Sequence, residues 1–330
     1  MPQTLRTPLL ALVVFFALAM LMVFAWFRSQ PPPRPPLPSP NGYDDLVKAS
    51  EAVTKSVAYD RDLDYDGLRD LVATNAESLR LLRAGLTRQC AMPDSALTDI
   101  DRLAGMKRLV QLLSKEGRLH EMDNRPADAA RSYTDAIRFG SEMSRGGLIV
   151  THLVGMACEA IGCHALAQVL PKLSREESRI VLSELEKIDA GRFTWAEVLQ
   201  NEQYYVRNQL GNRWNPIMRV MRWRQTRQAI QRAETKHKII IAHERLVMGE
   251  LALRCYRSEQ GHPPASLHET VTNYLSKVPQ DPFTGHPMVY RNQGTNWLLY
   301  SLGPDRVDDA GKPAAKGWPV IGDLLFDSPW

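Results

Sequence analysis

Cysteine is scarce in this sequence, with four residues in a chain of 330. Cys90, Cys158, Cys163 and Cys255 lie far apart, and none forms the C-x-x-C pair typical of zinc or redox sites. Cys158 and Cys163 point in different directions on a predicted helix, which argues against a disulfide between them. This pattern excludes a disulfide-dense miniprotein, and we expect four buried free thiols.

Neither sign of charge dominates, because 41 Lys and Arg residues face 37 Asp and Glu residues. With 44% hydrophobic and 24% charged residues, the composition excludes a disordered acidic tail or a collagen-like repeat and predicts a packed body. Catalytic motifs are also missing. His243-Glu244 begins like a zinc-protease motif, but position 247 is Val rather than His.

One long apolar run is present near the amino terminus. Residues 9–27 contain no charge, Gly or Pro, and a helix of that length rises about 28 Å, close to the thickness of a hydrocarbon core. Ala17-Leu18-Ala19 has the form of a signal-peptidase site, but the apolar sequence continues beyond it. We therefore predict an uncleaved membrane anchor over residues 1–28, with the bilayer contacted through residues 9–27.

A proline-rich segment follows, with seven prolines between Pro31 and Pro40. Such a segment forms an extended, semi-rigid spacer, so residues 29–42 are predicted to be a linker. Arg6 on one side of the span and Arg28 and Arg34 on the other leave the positive-inside rule nearly balanced. The anchor and spacer together favour a single-pass protein of the cytoplasmic (inner) membrane with a periplasmic or other extracytoplasmic body.

Helical periodicity dominates residues 43–236. We expect a first helix from Asp44 to about Val57, an amphipathic helix from near Asp66 to Leu86, and a third helix capped by Asp94 or Ser95. Later helices are predicted from Leu148 to Val169, and from a capping box at Ser174 to Asp189. The expected fold class is mainly α: an N-terminal transmembrane helix, a helical bundle or solenoid, and a small C-terminal α+β module.

Residues 113–140 resemble one tetratricopeptide helical hairpin, and Pro126 is placed to open its second helix. No second copy is evident thirty-four residues later, so a generic helical bundle or solenoid remains the alternative. The spacing is set by Leu113, Gly117, Asn124, Ala129, Tyr133 and Ala136.

Two sets of polar residues are candidates for chemistry. His152, Cys158, Glu159, Cys163 and His164 have metal-binding side chains, but their offsets do not project to one point of a helix, so we expect satisfied core or groove side chains. The acids of an envelope hydrolase would come from helical glutamates, although spacing does not show that any two converge. These are Glu142, Glu159, Glu197 and Glu202.

A basic strip between residues 207 and 238 holds nine cations and one acid, Glu234, interleaved with Trp214 and Trp223. Such a strip is typical of contact with anionic lipid or an acidic partner, nucleic acid being unlikely for an extracytoplasmic body. A solvated helix face is the alternative. Its members are Arg207, Arg213, Arg219, Arg222, Arg224, Arg227, Arg232, Lys236 and Lys238.

The sequence changes character from His237 onward. A long helix leads to Gly261-His262-Pro263-Pro264, a short amphipathic helix is expected from Leu267 to Leu275, and Pro279-Gln280-Asp281-Pro282-Phe283-Thr284-Gly285 follows. Two strands are predicted, Pro287 to Arg291 and Asn296 to Ser301. The last motif is Tyr300-Ser301-Leu302-Gly303-Pro304-Asp305.

These three motifs, in this order, resemble the globular part of type II secretion major pseudopilins over about residues 237–310. The resemblance implies a helix with a short antiparallel sheet in a module over residues 237–330, and a loop that binds calcium. Carried over, the calcium ligands would be the Leu302 backbone oxygen and the carboxylates of Asp305, Asp308 and Asp309. The chain departs from that family in lacking the Gly-aromatic-Glu sequence that begins its membrane helix.

The overall arrangement also resembles a group of membrane-anchored proteins of planctomycete-type bacteria, a resemblance that implies no activity. The expected function is therefore a noncatalytic, membrane-anchored scaffold or adaptor for protein–protein interaction in the cell envelope. The alternatives are a pseudopilin-related secretion component and an envelope hydrolase. Apart from the implied calcium, no cofactor is expected.

Overall fold

The computed structural model describes Met20 and residues 34–54, 63–210, 216–315 and 317–327; for some helical residues, chiefly between 207 and 226, only the backbone is described. Within these residues the fold is mainly helical, with nine α-helices and one short two-stranded antiparallel sheet. The helices are α1 Gly42–Glu51, α2 Tyr65–Thr74, α3 Ala76–Leu86, α4 Ile100–Met122, α5 Pro126–Met143, α6 Ile149–Val169, α7 Arg175–Ala190, α8 Trp195–Leu210 and α9 Pro216–Gln260; the strands are β1 Val289–Asn292 and β2 Trp297–Tyr300.

The first predicted helix is shorter than expected, because α1 ends at Glu51 rather than near Val57. The predicted second helix is two helices, α2 and α3, with buried Asn75 between them. The Asn75 side chain donates to the Leu71 carbonyl and accepts from the Thr54 backbone N–H. These bonds hold the chain at the junction where periodicity alone predicts an uninterrupted helix.

The third helix also begins later than predicted. Asp94 lies in a 3₁₀ turn, Asp94–Ala96, and the N-cap of α4 is Asp99, whose carboxylate accepts from the Arg102 backbone N–H at 3.0 Å. Both Asp94 and Asp99 have capping side chains. Sequence alone did not distinguish the turn from the helix start.

The predicted hairpin over residues 113–140 is present as α4 and α5, with Pro126 as the first residue of α5. The helices approach closely at Gly117, where an added Cβ would lie 2.2 Å from the Tyr133 ring. Glycine is therefore required there for packing. The Tyr133 hydroxyl donates to Glu121 at 2.6 Å and joins the two helices near the turn that connects them.

Helix α6 packs against α4, α5, α8 and α9. It crosses α5 at a pair of glycines: a Cβ on Gly140 would lie 2.5 Å from the Gly155 carbonyl oxygen, and the converse distance is the same. Among the described residues, Ile149–Lys172 is the one helical stretch long and apolar enough to cross a membrane, and more than half of it is buried by the rest of the protein. The predicted anchor at residues 9–27 lies outside the described residues, except for Met20.

Helix α9 runs through the predicted domain boundary at residues 236 and 237, and its C-terminal half packs on the sheet. The side chain of Leu299 on β2 fills the space beside Gly249. The strands pair antiparallel in the register Val289 to Tyr300, close to the prediction. The predicted helix from Leu267 to Leu275 is wrong, since only a 3₁₀ turn, Leu267–Thr270, forms there.

Part of the predicted linker belongs to the folded body. The Arg34 guanidinium donates to the Asp94 carboxylate and to the backbone oxygens of Met92 and Gly146, and its side chain is 14% exposed. Asn41 caps α1 and bonds to Ala91 through both its amide nitrogen and its amide oxygen. The segment 34–40, without helix or strand, is thus held at both ends rather than standing clear of the body.

Candidate functional site

The most unusual chemical feature of the described interior is a buried arginine between two glutamates. Arg192 follows Gly191 in the connection between α7 and α8, and its guanidinium donates to Glu159 of α6 at 2.6 Å and to Glu244 of α9. The side chains of Arg192, Glu159 and Glu244 are 7%, 1% and 0% exposed. One short connection is therefore fixed to two long helices through charge-assisted hydrogen bonds.

A second polar group lies beside it, made of His152, His237 and Trp195. His152 Nε2 and His237 Nδ1 are 2.9 Å apart, and the Trp195 ring lies within 6.1 Å of both imidazoles, centroid to centroid. Burial, together with the Arg192 charge, lowers the pKa of His152 to about 4. Burial, the neighbouring His152 and Arg192 lower that of His237 to about 3. Both imidazoles are therefore neutral at pH 7, and one donates to the other.

The charges around Arg192 do not balance in number, since two carboxylates face one guanidinium. Burial raises the pKa of Glu159, and it raises that of Glu244 to about 8 even though Arg192 acts in the opposite direction. Glu244 therefore retains a proton at neutral pH, which leaves one carboxylate paired with one guanidinium.

Buried polar atoms without a hydrogen-bond partner also concentrate here: Glu159 Oε1, Glu244 Oε1, Arg192 Nε, Trp195 Nε1, His152 Nδ1 and Thr151 Oγ1.

Glu159 and Glu244 are thus a pair of converging carboxylates, the feature that an acid/base hydrolase requires. Both are closed off from solvent, and the guanidinium occupies the space between them. Substrate has no open path to them in this arrangement. The chemistry that the geometry supports is fixation of the 191–194 connection against α6 and α9.

A large accessible cleft lies on the other side of this connection. It has a volume of about 1160 Å³ and lies between the docked segment 34–38, the loop after α3, and the ends of α5, α7 and α8. Phe193 lines it, directly after the buried Arg192. Five cations reach the cleft: Arg34, Arg88, Arg138, Arg145 and Lys187.

Most of these cations have a carboxylate partner. Arg34 pairs with Asp94, Arg88 with Asp45, and Arg145 with Glu142 at 2.9 Å. Arg138 and Lys187 are the exception, because they share one carboxylate, Glu184. Arg138 donates to one oxygen of Glu184, and the Lys187 amine lies 2.8 Å from the other. Among these three side chains, one positive charge is therefore left uncompensated.

Helix α8 provides a polar wall of the cleft through Glu197, Gln200, Asn201 and Tyr204. Their offsets of three, four and seven residues place them on one helix face. Glu197 closes a capping interaction with Thr194, accepting from its backbone N–H at 2.7 Å. The side chains of Gln200 and Tyr204 form no hydrogen bond with another described residue, so their polar atoms are open to a ligand.

The four glutamates predicted as hydrolase acids do not form one site. Glu142 pairs with Arg145, Glu197 caps α8, and Glu202 accepts from the Ile149 backbone N–H at 3.0 Å and so caps α6. Only Glu159 meets a second buried carboxylate, Glu244. Three of the four acids therefore secure helix ends or ion pairs around the cleft.

The residues of α6 that have metal-binding side chains, and that we expect to be core or groove residues, have different surroundings. His152 pairs with His237, Glu159 with Arg192, and the thiols of Cys158 and Cys163 are buried and free. No group of three or more His, Cys, Asp or Glu side chains able to hold a metal occurs among the described residues. The expectation of four buried free cysteines is confirmed.

The acidic C-terminal loop uses its carboxylates as backbone clamps. Asp305 accepts from the backbone N–H groups of Val307 at 3.2 Å and Gly322 at 2.8 Å. Asp308 accepts from the Tyr300 hydroxyl and from Arg291, at 2.7 and 2.8 Å. The Asp309 side chain forms no hydrogen bond with another residue in the described part of the chain, and the Leu302 N–H donates to Asp281 at 2.9 Å. The carboxylates of Asp305 and Asp308 thus accept hydrogen bonds from protein donors and brace this loop. Calcium binding at the loop stays a prediction.

The basic strip lies partly outside the described residues. Of its described side chains, Arg232 stacks over Trp318 at 5.9 Å and Lys238 pairs with Glu234 at 3.0 Å, while Arg227 and Lys236 are exposed.

Sequence analysis missed Arg192, because an arginine beside a glycine in a short connection is normally solvated. It also missed the cleft, whose walls come from segments far apart in the chain. The one sequence feature that could have indicated the cleft was Arg34, a lone cation within a proline run.

Comparison with known proteins returned no match to a family model, to a curated protein or to a solved structure.

Proposed function

We propose that the chain is a membrane-anchored, noncatalytic adaptor of the cell envelope, with an extracytoplasmic bundle or solenoid body that binds a partner protein. One observation carries the proposal: the large accessible cleft is built against the segment that leads toward the predicted anchor. A ligand in that cleft would contact both the body and the docked segment 34–38. The cleft thus supports a role in holding a partner near the membrane.

The hydrolase alternative receives less support from the same geometry. Its best candidates, Glu159 and Glu244, are sealed and bridged by Arg192. The alternative of a secretion component draws on the long helix followed by an antiparallel sheet in α9, β1 and β2, which is the arrangement implied by the pseudopilin resemblance. Co-purification with pilin-like subunits would favour that alternative over a general adaptor.

The membrane topology is tested through the buried cysteines. Gln293 lies in the exposed turn between β1 and β2, whereas the four native thiols are buried. We expect Gln293→Cys to react with a membrane-impermeant maleimide in cells whose outer permeability barrier is open. Wild type should remain unlabelled. Labelling of the variant only after lysis would contradict an extracytoplasmic body.

Partner binding is tested with the full-length chain in its native membrane. After mild crosslinking, the chain is isolated and compared with a control chain that ends at residue 42 and keeps only the anchor and linker. We expect at least one envelope protein to be enriched on the full chain alone. Identical recoveries from both chains would overturn the adaptor proposal.

A further inference from the structure

The cleft has the chemistry of a site for an extended peptide. On α8, the free side-chain amide of Gln200 offers a donor and an acceptor. Its nitrogen can donate to the carbonyl of a peptide unit, and its oxygen can accept from a peptide N–H. The hydroxyl of Tyr204, one turn further along, offers the same two functions. These groups repeat along a helix, so they match the backbone of a chain lying beside it.

One extended segment already lines the cleft. Residues 34–38 run along the cleft without helix or strand, held at their start by the three acceptors of Arg34. A second extended chain in the cleft would pack between this proline-rich wall and α8. Prolines have little conformational freedom to lose, so a wall of this kind is pre-organised for binding.

The charge arrangement favours an acidic residue at one point of such a ligand. Arg138 and Lys187 share Glu184, so a carboxylate that enters near them meets one uncompensated cation. The other cations of the cleft already have their own acidic partners, and Glu197, the further acid that lines the cleft, acts on Arg145 rather than on Arg138 or Lys187. We propose that the cleft binds an extended, acidic peptide segment of a partner protein between α8 and residues 34–38, with a carboxylate near Arg138 and Lys187.

This inference deepens the adaptor function and rests on it. The first experiment selects binders from a phage-displayed random peptide library on the full-length chain in detergent, with counter-selection on Gln200→Trp, which removes the amide and places a bulky ring on the α8 wall of the cleft. Gln203→Trp is the matched control, since Gln203 is exposed on the same helix but does not line the cleft. We expect enriched peptides that contain Asp or Glu and whose affinity falls at least about tenfold in Gln200→Trp, the change produced by loss of one important contact.

The docked wall is tested with Arg34→Lys. A lysine ammonium does not reproduce the fork that joins Asp94 to two backbone oxygens, so the selected peptides should bind this variant several-fold more weakly. Lys187→Gln should lower the affinity for the acidic peptides, and it should leave unchanged the affinity for the same peptides with Glu replaced by Gln. Far-ultraviolet circular dichroism shows whether each variant is folded. If Arg34→Lys is unfolded, Arg34→Gln is used in its place.

The outcomes separate this inference from the adaptor function. Failure to enrich any peptide, or equal binding to Gln200→Trp and wild type, would overturn the peptide site. Preferential binding of the full chain to vesicles with anionic rather than neutral lipid, lost in Gln200→Trp, would replace the peptide with a lipid headgroup. If the crosslinking comparison still recovers a partner, the adaptor function stands and the contact lies elsewhere on the body.

Discussion

Arg192 is buried between the carboxyl groups of Glu159 and Glu244. Removing a guanidinium from between two buried carboxylates leaves charge without a partner, which typically costs about 3–5 kcal/mol. We therefore expect Arg192→Met to lower the free energy of unfolding by about that amount in urea titrations. Arg125→Met is the control, because Arg125 pairs with Asp123 and Asp128 at the exposed surface. Equal effects of the two substitutions would show that the buried bridge contributes nothing special.

Glu244 predicts a particular dependence of stability on pH. Its pKa rises from 4.5 to about 8 on folding, so between these values the folded state holds a proton that the unfolded chain has released. The free energy of unfolding contributed by this group therefore falls as the pH rises from 4.5 to 8 and is constant above that range. In Glu244→Gln this decline should be absent.

The comparison is made by urea unfolding of wild type and Glu244→Gln between pH 5 and pH 9. The advantage of wild type over the variant should be greatest at pH 5 and smallest at pH 9. Glu234→Gln, which alters a helical surface pair with Lys238, should show a difference from wild type that changes little with pH. A pH-independent difference for Glu244→Gln would contradict a proton held on that carboxyl.

Asp305 should stabilise the C-terminal module without a metal. Its two backbone hydrogen bonds join the turn at Val307 to Gly322, so Asp305→Ala should lower the free energy of unfolding by about 1–2 kcal/mol in EDTA. Asp309→Ala is the control. If millimolar calcium raises the melting temperature of wild type but not of Asp305→Ala, the loop is the calcium site implied by the pseudopilin resemblance.

At the scale of elements, the crossing of α5 and α6 depends on two glycines. A methyl group at Gly155 would meet the Gly140 carbonyl oxygen at 2.5 Å and the Ser144 side chain at 2.8 Å. Because the obstacles include backbone, Gly155→Ala should destabilise the protein by about 1–3 kcal/mol despite the better helix propensity of alanine. Gly105→Ala in α4 is the matched control.

An added Cβ at Gly105 would lie 3.2 Å from the nearest atom, the Ser50 hydroxyl oxygen. That contact is relieved by a small movement, so Gly105→Ala should change the melting temperature much less than Gly155→Ala. Thermal unfolding followed by circular dichroism measures both. A Gly155→Ala variant as stable as wild type would show that the two helices separate without cost.

The sequence predicted elements well where local chemistry decides them. The capping box at Ser174 and the start of α5 at Pro126 are confirmed, because each depends on residues within one turn. Errors occur where tertiary contacts decide, as at Asn75, whose side chain accepts from the backbone N–H of Thr54, 21 residues away. The contacts of Arg192 join positions 33 and 52 residues away, and sequence spacing carries no information about such pairs.

At the scale of the molecule, the docked Arg34 limits how far the body can lie from the proposed membrane anchor. If the anchor ends near Phe27, six residues precede Arg34, and an extended chain of that length spans about 20 Å. The cleft would then open close to the bilayer surface rather than at the end of a long spacer. This placement favours a partner that is itself held at the membrane.

The most direct test of the adaptor account is photo-crosslinking from the cleft in the native membrane. A photoreactive amino acid replaces Gln200 in one full-length chain and Gln203 in another, so that both probes lie on α8 but only the first faces the cleft. The account predicts a crosslinked envelope protein from position 200 that is absent or much weaker from position 203. Equal products from both positions, or none from either, would contradict a partner bound in the cleft.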